Sequence, residues 1–398
     1  MKAEKRLNAA VLLLGFLAFW ANGDTYAAAP LLIRMCSDFS VDIGSAAFTV
    51  TAYMLFFGLL TVFFGPLGDR YGRSRILTIA AFSSGALGMV CGFAPNLPSL
   101  IAVRALNGAF AAGIMPLAVA HAGDSAAPEA RQTRIGQVMG LMFLGGALAT
   151  VIGGAIAHAG SWRAVYLVYG AAQFLLALPL AFLLQDASAP SRNVRMIASY
   201  KAILSIPLIR RTVGLLLFVG LSTLGVFSYL GKFTQDRTGL NVMLVGCLLS
   251  AYGAGTFLGG RIAGRIRKAL GVRLLPAAGA LGAAGLLAFC LADARPAVAV
   301  PGLFLYGLGF ICLQSSFITT AQDLAAGYRG TVMSLASFTM VVSGALGTLV
   351  NGRIIAAAGF PPVLIGAAVA FGSAGALAAA LLKEPASGSA GRRSAASR

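Results

Sequence analysis

Charge is what this chain has least of. It carries 12 acidic residues in 398, and charged side chains of all kinds make up 11% of it. Soluble domains carry about 25%, so too few polar groups are present to clothe a water-soluble protein of this length. Cysteine is sparse: Cys36, Cys91, Cys247, Cys290 and Cys312 form no Cys-x-x-Cys pair. Cysteines so scattered read as small apolar residues rather than disulfides or metal ligands. The two histidines, His121 and His158, stand alone near the ends of apolar runs. No metal and no cofactor are expected. The apolar runs hold no Ser-His pair and no His/Cys/Asp cluster, so the chain is not read as an enzyme. A Gly-x-x-x-x-Gly-Lys-[Ser/Thr] loop is also missing, which excludes the usual phosphate cradle of ATP-driven machines. The net charge of +18 suits nucleic acid binding, but the basic residues sit in short segments between apolar runs, so no nucleic-acid partner is expected.

Apolar length is plentiful: 58% of residues are hydrophobic. Runs of the roughly 20 residues that a helix needs to cross a bilayer recur at 8–33, 44–64, 76–94, 99–121, 135–157, 163–184, 212–231, 240–259, 274–293, 297–320, 331–356 and 362–382. Backbone in lipid must satisfy its own hydrogen bonds, and no even alternation suggests a barrel, so the spans are helices. Lys2, Lys5, Arg6 and the later Ala27-Ala28-Ala29 imitate a signal peptide. The run between them is too long and bears a charge past its middle, so it is read as the first span.

Basic residues set the orientation. With the N-terminus cytoplasmic, 23 of the 30 Lys and Arg fall on that side, 6 on the other, and Arg104 lies inside a span. That bias places both termini inside. The longest internal loop, Gln185–Ser205, divides the spans six and six. The expected organisation is a six-helix bundle over 1–185, a cytoplasmic linker over 186–205, a second bundle over 206–384 and a disordered basic tail over 385–398. The halves also repeat. GGALATVIGG (145–154) aligns with SGALGTLVNG (343–352), RIGQVM (134–139) with RGTVM (329–333), and LGDRYGR (67–73) with LGGRIAGR (258–265). Parallel six-helix repeats build one large transporter architecture. The fold class is therefore an all-α membrane protein, twelve transmembrane helices in two six-helix bundles with a 6+6 pseudo-repeat.

The loop GPLGDRYGRSR (65–75) between spans two and three carries a spacing that topology alone does not require. It resembles the signature loop of the major facilitator superfamily, and the twelve spans and the repeat extend the resemblance over the whole chain. LIAVRALNGAFAA (100–112) places Arg104, Asn107 and Gly108 at the spacing of that family's second motif. Gly136, Gly145, Gly153 and Gly154 in the fifth span resemble the motif of its drug:proton antiporters, although Ala149-Thr150 stands where that motif has Gly-Pro. Close helix packing by small residues explains the same glycines. SWRAVYLV (161–168) is a further likeness to this exporter branch.

The resemblance implies a gate made by Gly65, Gly68, Asp69, Arg70, Gly72 and Arg73. Asp69 would meet the start of the eleventh span, and the arginines would reach Asp124 at the end of the fourth. It also implies a cavity lined by Asn22, Tyr26, Asn107, Met115, Met139, Phe143, Tyr229, Gln314 and Phe317, with ordinary packing as the alternative for each. Members of the family usually act as monomers, and a monomer is expected here.

One acidic residue departs from the pattern. Asp24 alone lies well inside a span, where an ionised carboxylate costs roughly 2.5–3.5 kcal/mol at the bilayer centre. By depth, Arg104 is the nearest intramembrane cation, unless it snorkels to the surface. Asp24 is read as the proton-coupling or cation-binding site, tuned by Arg104; a structural ion pair is the alternative. The function expected is proton-coupled export of small amphipathic compounds by alternating access, across the inner membrane of a bacterium. Export of a metabolite such as a sugar or siderophore, and a receptor that transports nothing, remain open.

Overall fold

The structure, a computed structural model, describes residues 2–124, 131–184, 196–325 and 329–382; at a few helical positions, Asp69 and Asp124 among them, only the backbone is described. The elements are α1 (Lys2–Phe39), α2 (Ile43–Tyr71), α3 (Arg73–Gly92), α4 (Leu97–Ala111), α5 (Ile114–Asp124), α6 (Arg131–Ala159), α7 (Trp162–Leu183), α8 (Met196–Leu204), α9 (Pro207–Thr238), α10 (Val242–Leu270), α11 (Leu274–Leu291), α12 (Pro296–Leu324), α13 (Arg329–Ala358) and α14 (Phe360–Leu381). Among them are 12 membrane spans by length and hydropathy, with α4 and α5 sharing one. Strands are absent among the described residues.

Local chemistry sets the ends. Asp42 caps α2, its carboxylate accepting from the N–H groups of Gly44 at 2.8 Å and Ser45 at 3.1 Å. Asn96 and Ser99 form a capping box at α4, and Ser161 and Asn241 cap α7 and α10. Such caps satisfy donors that a helix leaves unpaired at its start. Gly72 links α2 to α3 at φ 96°, a conformation that favours glycine, and its N–H returns to the Gly68 carbonyl at 2.9 Å. The fourth span breaks at 112–113 because Pro116 has no N–H to offer the Ala112 carbonyl.

The helices extend several residues past the expected spans, chiefly at the end that carries the termini, where α2 runs to Tyr71 and α10 to Leu270. The linker also contains helix: α8 inserts Ile203 among Ile209, Ala321, Val332 and Leu335, against the second half. Residues 185–195 and the tail 383–398 lie outside the described residues.

Each half packs on itself, α1 on α6 and α3 on α7 in the first, α11 on α12 and α14 in the second. The halves meet along α2–α13, α6–α10 and α1–α9. Glycines bring these seams together. A Cβ built on Gly246 or Gly253 of α10 would overlap the backbone of Thr150 or Ala147 in α6, and one on Gly231 of α9 would lie 2.6 Å from the Ala29 carbonyl of α1. At α2–α13, Gly44 meets Gly352 and Gly58 meets Val342. All these contacts fall between mid-depth and the end far from the termini. There one apolar core runs through both halves, joining Leu31 and Tyr53 to Phe227 and Leu249. Toward the termini the first half keeps a separate core around Leu14, Leu77, Leu117 and Leu180. Leu12 and Phe16 of α1 are exposed there. The halves are thus closed at the far end and part toward the termini.

Candidate functional site

Asp24 of α1 and Arg104 of α4 meet inside the first half. Arg104 Nη1 donates to Asp24 Oδ2 at 2.7 Å, with Asp24 5% exposed and Arg104 1%. The guanidinium does not snorkel. The same Nη1 donates to Asn107 Oδ1 at 2.8 Å, Asn107 Nδ2 to the Ser84 carbonyl at 2.8 Å, and Ser84 Oγ to Gln173 Oε1 at 2.9 Å. Four helices, α1, α4, α3 and α7, are tied by this line of polar groups. The guanidinium also lies 4.0 Å from the ring centroid of Tyr53 and 5.0 Å from that of Tyr166. Stacked cations of this kind contribute about 0.5–2 kcal/mol. One donor stays unused: Arg104 Nε is buried with no partner.

The spacing Arg104-x-x-Asn107-Gly108 now has a physical account. Residues three apart share a helix face, so Asn107 reaches the guanidinium. A Cβ on Gly108 would overlap the Tyr53 carbonyl, so glycine lets α4 lie close enough to α2 for Tyr53 to cover the charge.

Asp24 faces away from the second half. Two residues on, and so about 200° around the helix, Tyr26 packs its ring edge on Phe227 of α9 at 5.3 Å and lies 6.3 Å from Tyr252 of α10. The same α1 therefore holds the ion pair on one side and the seam on the other.

The other expected residues are spread more widely. Asn22 Nδ2 donates to the Met142 carbonyl at 3.0 Å and stays half-buried. Met115 and Phe143 pack on the first half's own core, and Met139 and Gln314 are half-buried. Tyr229 is sealed within the second half, its hydroxyl donating to the Thr348 carbonyl at 2.6 Å, and Phe317 is fully buried. Together with Asn107, these two sit inside a bundle rather than on a common cavity wall.

In the last turns of α2, a Cβ on Gly68 would press on Leu117 and Arg73, whereas one on Gly65 would meet nothing within 4 Å. Arg70 lies 5.2 Å from the Tyr71 ring, and Arg73 is half-buried. The carboxyl of Asp124, expected to meet these arginines, and that of Asp69, expected to meet the start of the eleventh span, lie outside the described side chains. In α6, Gly145 presses on the Phe19 backbone and Gly153 on Ala27, while Gly154 meets Val242 and Gly246 across the seam. Gly136 is exposed, and a Cβ built on it would meet nothing within 4 Å, so no close helix contact requires a glycine there. The SWRAVYLV stretch acts as a staple at the far end. Trp162 Nε1 donates to Asp38 Oδ2 at 2.8 Å, and Arg163 pairs with that oxygen at 3.2 Å.

Sequence reasoning passed over Ser84, Gln173, Tyr53 and Tyr166. A buried amide in mid-span marks Gln173 by the argument used for Gln314, but tyrosines in an apolar run carry no such mark. Among the described residues no group of His, Cys, Asp or Glu could hold a metal.

Twelve spans in two halves, closed at one end and holding an ion pair within the first half, define a membrane carrier. The profile of the Major Facilitator Superfamily matches residues 11–348. The chain belongs to this superfamily of membrane transporters. It is 26% identical over 351 residues to the uncharacterised MFS-type transporter YceJ of Bacillus subtilis, covering 84% of this chain and 86% of that one. A shorter match, 33% identical over 135 residues, is to the multidrug efflux pump LfrA of Mycolicibacterium smegmatis; it covers 34% of this chain and 27% of LfrA. Among solved structures, a bacterial homologue of the human lysosomal transporter Spinster, inward-facing and occupied, superposes with a TM-score of 0.72 at 18% identity over 94% of this chain and 96% of that one. That likeness is one of fold.

Proposed function

We propose that this carrier is a proton-driven exporter of small amphipathic compounds, working by alternating access in the inner membrane of a bacterium. The observation that carries the reading is the Asp24–Arg104 pair, 2.7 Å long and buried within the first and fourth spans. Ionisable groups at that depth are costly, and they mark ion pathways in transporters. When Asp24 takes a proton, Arg104 loses its counter-charge and is left with Asn107 and the two tyrosine rings. That changes the hold of α4 on α1, and α1 carries the change to the seam through Tyr26 and Ala29. Coupling is thus indirect: proton and cargo occupy different places and communicate through one helix. The excess of Lys and Arg on the termini side supports an arrangement in which the open end faces the cytoplasm. The partial likeness to LfrA supports a drug-like cargo.

The test is reconstitution. In proteoliposomes with an imposed proton gradient, the protein should move an amphipathic dye against its gradient, and Asp24→Asn and Arg104→Ala should each abolish accumulation. Full proton-driven accumulation in both variants would overturn the reading. A growth-inhibition panel with and without expression, repeated with an uncoupler, then sorts drug-like from metabolite cargo.

A further inference from the structure

A cavity of about 700 Å³ lies at the far end, over the closed seam. Its walls come from both halves: the ends of α1 and α6 on one side, the α9–α10 turn and the start of α14 on the other. Beneath it are the seam contacts of Ala29 with Gly231 and of Gly154 with Val242.

The lining has an uneven supply of charge. Its two acids are already engaged. Asp42 Oδ1 accepts the first N–H groups of α2 and Oδ2 the Ser45 hydroxyl at 2.6 Å, while Asp236 binds Lys232 at 2.5 Å. The first base is not engaged: the exposed Arg34 guanidinium makes no hydrogen bond or ion pair among the described residues, and neither does the exposed ring of His158. An entering anion meets a free guanidinium able to grip a carboxylate with two N–H groups, whereas an entering cation meets one carboxylate already paired with Lys232 and another already accepting three hydrogen bonds. Apolar groups, among them Ile33, Leu240 and Phe360, complete the wall.

We propose that this cavity is a binding site for an amphipathic organic anion, held by Arg34, and that its occupant locks the far end shut. The second part follows from construction. The walls belong to opposite halves, so the cavity exists only while the halves touch there. A ligand that binds one of two states shifts the population toward it. Bound anion therefore stabilises the state open toward the termini and slows the transport cycle. The inhibition rests on the alternating-access reading above; the binding does not.

Cys36 lines the cavity and reports on it directly. In a variant with Cys91, Cys247, Cys290 and Cys312 replaced by alanine, purified into nanodiscs, 1-naphthoate should slow maleimide labelling of Cys36 severalfold. The neutral 1-naphthalenemethanol and the cationic 1-naphthylmethylamine should protect much less. Arg34→Ala should remove the protection and Arg34→Lys should restore part of it. Equal protection by the neutral or cationic probe, or full protection in Arg34→Ala, overturns the site. If naphthoate protects Cys36 yet leaves measured transport unchanged, the locking is overturned. If no flux is found under any condition, the exporter reading fails, and the labelling still decides the site.

Discussion

Breaking the Asp24–Arg104 pair from one side should cost far more than removing it whole. Arg104→Leu leaves Asp24 with no partner among the described hydrogen bonds, because the guanidinium is the only donor to it. Asp24→Leu leaves Arg104 with Asn107 and the faces of Tyr53 and Tyr166. In soluble proteins an abandoned buried charge costs about 3–5 kcal/mol; polar couplings inside membrane bundles reach only about 1.7 kcal/mol, because the unfolded chain in lipid also finds partners. Arg104→Leu should therefore lose about 2–4 kcal/mol, and Asp24→Leu should lose less. The double variant should be more stable than the sum of the singles predicts, by about 2 kcal/mol. Thermal unfolding of the four purified proteins measures all of this. Additive losses would mean that the two side chains do not act as a pair.

Three shorter expectations follow from the packing. Gly108→Ala places a methyl on the Tyr53 carbonyl, which as backbone cannot turn aside, and should lower stability by about 1–3 kcal/mol; Gly136→Ala, with open space around it, should be neutral or stabilise by up to about 1 kcal/mol, and equal losses in the two would refute the packing argument. Gly246→Val should push α10 off Thr150 of α6 and loosen the far end, read as faster maleimide labelling of an Ala29→Cys thiol; unchanged labelling would mean that this crossing does not hold the seam. Asp42→Ala removes the α2 cap at a cost of about 0.5–1 kcal/mol, the low end because the site is exposed. The Ser45 hydroxyl and N–H hold the Asp42 carboxyl below its usual range, so this contribution is complete at neutral pH and fades as acid protonates the folded carboxyl. Wild type and variant should converge in melting temperature at low pH, and a gap that persists there would contradict the cap.

The number of spans was legible because each apolar run is long enough to cross a bilayer. Asp24 and Arg104 were legible as outliers, and their depths along the two spans already placed them within reach. Rotation about each helix axis was not legible. A span that is apolar all round gives no moment from which to tell its faces apart, so Tyr229 and Phe317 could be assigned to a cavity although they point into the second half. Ser84 and Gln173 were missed for the same reason: nothing in spans three and six says that they face each other. The break at 112–113 was readable from Pro116, whereas the short α8 was hidden by the polar stretch before it.

The bonding within each half differs in kind from the bonding between halves. Arg104 to Asp24, Ser84 to Gln173, Trp162 to Asp38 and Tyr229 to Thr348 each stay inside one half. The contacts described across the seam are glycine on backbone or on the Val342 side chain, and the Tyr26 ring against Phe227 and Tyr252. The difference matters in a membrane. A directional bond in a dry interior is expensive to leave unmade, so each half resists internal change. Contact between small residues gains only dispersion, about 0.1–0.2 kcal/mol per atom pair, and gives no partner to strand when it parts. The molecule is therefore rigid in each half and separable between them, as rocking about a seam requires. The helix α1 stands between the two, tied to its own half by the Asp24–Arg104 pair and packing on α6, and to the other half by the Tyr26 ring and the close approach of Ala29 to Gly231. An input that moves the pair can reach the seam through α1, where Asp24 and Tyr26 lie two residues apart on opposite sides, and through α2, whose Tyr53 covers the guanidinium and whose Gly44 and Gly58 meet α13.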